Sequence, residues 1–239
     1  MRFLPLNIKG MNDDVVERFS ILPRANMIRR NAMVPIGLGF RALKGGGVVV
    51  GVAADGSEPR VVLSTFLATA AEGDRLALEP YRVAAEMQQA LHGGVPAEAA
   101  AAVAEGRKRQ GELAANGLDT IVRKLRDAGC EPAVAALLVN RAGWITDLLA
   151  YSLSWPEHVP VAEGLAVRDA LRFAIGRVSI NVAELDEKSL PDLASKDLGM
   201  SPADLNASLK ALGVAAGRPW RKEQKLACLA AWVALAARR

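Results

Sequence analysis

The stretch from Gly45 to Phe66 constrains the fold most. Gly45-Gly46-Gly47 opens onto Val48-Val49-Val50-Gly51-Val52-Ala53, a β-branched run of the kind that packs on a buried, pleated surface. Ala54-Asp55-Gly56-Ser57-Glu58-Pro59 follows. It is turn chemistry, because Asp-Gly accepts positive φ and proline restricts the residue before it. Arg60-Val61-Val62-Leu63-Ser64-Thr65-Phe66 then reads as a second strand, so the segment is a β-hairpin. Asp74 to Leu78 is expected as a third strand.

Helical sequence dominates afterwards. Tyr81 to Leu91 is one helix, closed by Gly93-Gly94. Ala97 to Ala128 is a second, with Ala114, Leu118, Ile121, Val122 and Leu125 on one face. Ala133 to Val139 is wholly apolar and fits a strand buried on both faces. Helices are expected at Ile145 to Leu153 and Val161 to Ile175, and a half-buried strand at Ser179 to Leu185. The expected fold class is α/β, a mixed sheet that starts with an antiparallel hairpin and continues through helical crossovers. This element order, over about 46–188, resembles the ribonuclease H-like superfamily, which includes Holliday-junction resolvases and other nucleases. Residues 1–45, interrupted by Pro35, Gly37 and Gly39, read as a basic lead-in. Residues 189–239 read as a helical C-terminal extension.

Charge divides the chain in the same places. The net charge is +4, distributed as +5 over 1–45, −7 over 46–206 and +6 over 207–239. Two basic ends flank an acidic body, and together they would make a surface for a polyanion. The C-terminal excess concentrates in Gly217-Arg218-Pro219-Trp220-Arg221-Lys222-Glu223-Gln224-Lys225, at the start of a helix. Cations there oppose the helix dipole unless an anion answers them. Two answers are open: a nucleic-acid phosphate, held by Arg218, Arg221, Lys222 and Lys225 with Trp220 as a stacking face, or the protein's own acidic middle, with Trp220 in the core. Arg29 and Arg30 are the matching candidates in the lead-in.

Just upstream, Ser195 to Leu209 resembles a helix-turn-helix, with Gly199 at the turn and Ser201-Pro202 starting the second helix. That helix offers Asp204, Asn206, Ser208 and Lys210 to a groove; simple packing of two helices explains the pattern equally. Gly213 is expected to end it.

A ribonuclease H-like nuclease needs carboxylates converging on divalent metal ions, usually with one on the first strand. The resemblance therefore implies Mg²⁺ or Mn²⁺ as cofactor and Asp55, Glu163 and Asp186 as candidate catalytic acids, with Asp55 and Asp186 as metal ligands. Read as turns instead, Asp55 and Asp186 carry no chemistry. Asp186-Glu187-Lys188 also has the D-x-K spacing of restriction-endonuclease-like enzymes, with Asp169 as the upstream acid. Asn140, Arg141 and Trp144 follow the apolar strand, where ligands bind in open α/β sheets.

Several classes are unsupported. Cys130 and Cys228 lack metal-ligand spacing and suit a reducing cytoplasm. His92 and His158 have no nucleophile beside them, and no phosphate-binding glycine motif calls for a nucleotide cofactor. The longest apolar run, Leu226 to Ala237, falls short of the roughly 18–20 residues that cross a bilayer and reads as a buried helix. The expectation is thus a cytoplasmic, nucleic-acid-associated protein binding DNA or RNA, metal-dependent if it cleaves. The alternative is a non-catalytic interaction or assembly protein, a homo-oligomer included, that docks through its basic ends.

Overall fold

The valine-rich hairpin forms as expected: β2 (Gly46–Asp55) pairs antiparallel with β3 (Glu58–Ala68). It belongs to a computed structural model of the chain that describes residues 33–55, 58–91, 97–140 and 144–238. Three further strands complete the sheet: β1 (Val34–Leu43), β4 (Cys130–Val139) and β5 (Val182–Asp186). The order is β3-β2-β1-β4-β5, with β1 antiparallel to β2, and β1, β4 and β5 mutually parallel. This is the expected mixed α/β sheet, an antiparallel start followed by helix-separated parallel strands.

Two elements differ from expectation. Residues 34–43 are not part of an irregular lead-in; they are the central strand. The glycines and the proline that resemble chain breakers sit within it, Pro35 at its start beside a bulge at Ile36/Gly37. Asp74 to Leu78 is no strand either. Asp74 accepts a hydrogen bond from the Ala77 N–H at 3.1 Å and caps a single helical turn, α1 (Arg75–Leu78).

Helices cover both faces of the sheet. After α1 come α2 (Pro80–Leu91), α3 (Ala97–Asp127), α4 (Leu148–Ser154) and α5 (Val159–Arg177). Then α6 (Leu190–Leu198), α7 (Pro202–Ala216) and α8 (Lys222–Ala236) follow β5. Along β1 the side chains alternate: Ile36, Leu38 and Phe40 enter the core beneath α3 and α5. The opposite face of the sheet, with Val48, Val50, Val134 and Ala136, is buried under α6, α7 and α8. The C-terminal helices are therefore a layer of the fold rather than a projection from it.

The apolar run forms α8, whose residues Ala227 to Leu235 are all buried. It lies directly on β1. A Cβ on Gly37 would overlap the Ala231 carbonyl, and one on Gly39 would overlap the Ala227 carbonyl. Only glycine permits so close an approach. The next residue on that face of β1 is Arg41, which meets Glu223, one turn before Ala227 on α8. Two strand residues advance about 6.6 Å and four helix residues about 6 Å, so the pairs stay in step.

Cys130 and Cys228 are free thiols, both buried. Burial pushes the Cys228 thiol up to about 12, so it fills space as an apolar group. Among the described residues, no helix is long and apolar enough to cross a membrane.

Candidate nucleic-acid interface

The cationic segment Arg218 to Lys225 is placed by the turn between α7 and α8. α7 does not stop at Gly213; it runs to Ala216 and ends at Gly217, which has φ of 79°. Gly213 is kept free of a side chain for another reason. The Trp220 indole lies against it, where any Cβ would overlap the ring. The indole Nε1–H donates to the Leu209 carbonyl at 2.9 Å, so both the ring plane and its rotation are fixed. Trp220 remains half-buried, neither a core residue nor a free one.

Around this ring lies an open groove of about 650 Å³ lined by Lys210, Arg218, Trp220, Arg221 and Lys225. The four cations are exposed. Among the described residues, no carboxylate forms an ion pair with any of them or with Lys222. The acidic middle of the chain therefore does not answer this charge. Lys222 and Lys225 also line an adjoining apolar groove of about 390 Å³ with Leu205, Leu209 and Leu226. The backbone N–H of Arg221 donates to Gln224 Oε1 at 2.9 Å, which fixes the start of α8. Lys210 joins this cluster from α7; its i,i+3 spacing to Gly213 is the signal in the sequence. Arg29 and Arg30 lie outside the described residues.

The proposed catalytic acids do not meet. Asp55 ends β2, and since Ala53 pairs with Ile36, it stands level with the beginning of β1. Asp186 pairs with Val139 at the far end of β4, beyond the level of Phe40. About eight strand residues, or roughly 25 Å, separate the two edges. Asp186 instead accepts the N–H groups of Lys188 (2.8 Å) and Ser189 (3.1 Å), closing the turn into α6. Asp169 is also engaged, by Arg107 at 2.8 Å and Arg172 at 2.6 Å. Among the described residues, no group of three or more His, Cys, Asp or Glu side chains is placed to hold a metal ion.

Glu163 projects from α5 to the start of α2, where Oε1 accepts the N–H groups of Tyr81 and Arg82, both at 2.9 Å. Its Oε2 is buried with no partner among the described residues. Burial raises the carboxyl to about 7, against the lowering effect of the two N–H groups. The folded state thus holds this proton more tightly than the unfolded chain. Stability from the group is full below pH 4.5 and is lost as pH rises through 7. Glu163→Gln should flatten that decline by on the order of 1–2 kcal/mol after solvent screening, read from urea unfolding across this range. An unchanged pH profile would reject the assignment.

Asn140 is exposed at the end of β4. Trp144 is 70% exposed and meets Tyr151 edge-on, with centroids 5.5 Å apart. Arg141 lies outside the described residues.

Comparison with known proteins adds one likeness. The chain is similar to RuvC. The Thermus thermophilus RuvC structure is 11% identical, covers 86% of this chain and 96% of its own, and superposes with a TM-score of 0.47. T. thermophilus RuvC in complex with Holliday junction substrate is 9% identical, with 87% and 95% covered and a TM-score of 0.44. No family model and no curated protein matches the chain.

The metal site that the ribonuclease H-like resemblance implies does not fit these residues. It calls for a carboxylate on the first strand, and β1 has neither Asp nor Glu. In its last turn of sequence it carries Arg41. The guanidinium donates from Nε and Nη2 to the two oxygens of Glu187, at 3.0 and 2.9 Å. Its Nη1 lies 3.7 Å from Glu223 Oε1. Arg41 belongs to the stretch that reads as a lead-in; its signal is its place after Gly37 and Gly39, on the strand face opposite Ile36, Leu38 and Phe40.

Proposed function

We propose that this protein binds nucleic acid through the groove between α7 and α8. The carrying observation is four exposed cations around one rigid indole, none of them ion-paired among the described residues. Lys210, Arg218, Arg221 and Lys225 hold the phosphate backbone, and Trp220 offers a ring for an unstacked base. Cations along a groove with an aromatic platform are the common means of gripping a single strand with little sequence preference. Among the described residues, the carboxylates that would direct phosphodiester cleavage are dispersed.

The test is fluorescence anisotropy with labelled single-stranded DNA and RNA at increasing salt. Binding should be tight at low salt and weaken steeply as salt rises. No binding at low salt would remove the proposal and favour docking on an acidic protein surface, which the same cations also suit. Trp220→Ala should cost about 5–150-fold in single-strand affinity, in line with base stacking of about 1–3 kcal/mol. Duplex affinity should change less. Equal losses on both would show that the ring supports the groove rather than a base.

A further inference from the structure

We infer that the Arg41 guanidinium takes the place of a divalent cation, so that this edge of the sheet is a metal-free site closed by the protein's own charge. Three elements converge here: β1 ends with Arg41, Glu187 directly follows β5, and Glu223 stands in the first turn of α8. Two carboxylates facing each other from separate elements need a positive charge between them. The bidentate bond to Glu187 and the longer approach to Glu223 supply it. The Arg41 side chain is only 18% exposed, so the charge is held within the edge rather than on its surface. Planar guanidinium geometry matches a carboxylate fork, and the group stays charged at any physiological pH.

The consequence concerns sign. A metal ion here would face a fixed cation within bonding distance of the carboxylates it needs, and β1 contributes no further carboxylate. The site therefore excludes Mg²⁺ and Mn²⁺ by occupancy and by repulsion. Reversing the one charge should open it: Arg41→Asp puts a third carboxylate beside Glu187 and Glu223 and removes the resident cation. Three carboxylates suit hard divalent ions. This inference is independent of the α7–α8 groove, and groove substitutions should leave it untouched.

The experiment is thermal unfolding of the full chain with and without Mn²⁺. Wild type should show no Mn²⁺-dependent rise in Tm. Arg41→Asp should gain about 3–6 °C when Mn²⁺ exceeds its Kd tenfold. A folded Arg41→Asp protein with no Mn²⁺ response would overturn the inference. Should that variant melt too early to score, calorimetric titration of wild type decides alone. Stoichiometric Mn²⁺ binding that Glu187→Gln abolishes would overturn the inference, and its absence supports it.

Discussion

Replacing Arg218, Arg221 and Lys225 together by alanine should lower nucleic-acid affinity by about two orders of magnitude near 0.1 M salt. Each cation that neutralises a phosphate releases counterions and contributes about 0.7–0.9 to the slope of log affinity against log salt. Removing three should therefore reduce the slope by about 2–3. The effect should be nearly uniform across sequences, because phosphate contacts carry no base information. Folding stability should stay within about 0.5 kcal/mol of wild type, since these exposed side chains have no ion-pair partner among the described residues. Anisotropy titrations at several salt concentrations, with urea unfolding as control, make the measurement. An unchanged slope would show that phosphate is held elsewhere.

Among the described glycines, Gly39→Ala should be the most damaging substitution, costing about 3 kcal/mol or more. A Cβ there would come within 2.8 Å of the Ala227 carbonyl carbon and 2.9 Å of the Ala231 nitrogen. Both are backbone atoms of a buried helix, so no rotamer change relieves the overlap. α8 must instead lift from β1, opening the contact at Gly37 as well. Gly164→Ala is the contrast. It lies inside α5 with nothing within 4 Å of a new Cβ. That change should stabilise by about 0.5–1 kcal/mol, because alanine loses less chain entropy in a helix. Urea midpoints for the two variants would settle the comparison; a mild Gly39→Ala would mean that α8 is not seated tightly on the sheet.

The contrast between these glycines also explains how much the sequence disclosed. Elements whose composition answers only to their own backbone were readable. The hairpin, the apolar strand β4 and the buried run of α8 formed where propensity placed them. So did the turn between α6 and α7, with Gly199 at φ 64° and Ser201 accepting the Asp204 N–H at 3.2 Å. β1 was unreadable because its glycines answer to a distant helix. In isolation they look like loop residues; beneath α8 they are the condition for contact. The same holds for charge. The cluster from Arg218 to Lys225 is local, and its conflict with the helix dipole could be seen in one segment. Arg41 and Glu187 stand 146 positions apart, and nothing in either neighbourhood announces the other. The candidate acids Asp55 and Asp186 lie apart for the converse reason. Asp55 and Asp186 are good turn formers, and good turn formers are spread wherever strands end.

The seating of α8 on β1 bears on how the chain is made. The central strand leaves the ribosome well before the helix that shields one of its faces, which follows it by almost 180 residues. Until then Val48, Val50, Ala136 and their neighbours face outward on an unfinished sheet. Such a surface invites association between nascent chains, and chaperone capture is the natural protection during that interval. Early termination anywhere before Lys222 would leave the interval permanent, so shortened products of this gene should be found in aggregates rather than as folded fragments.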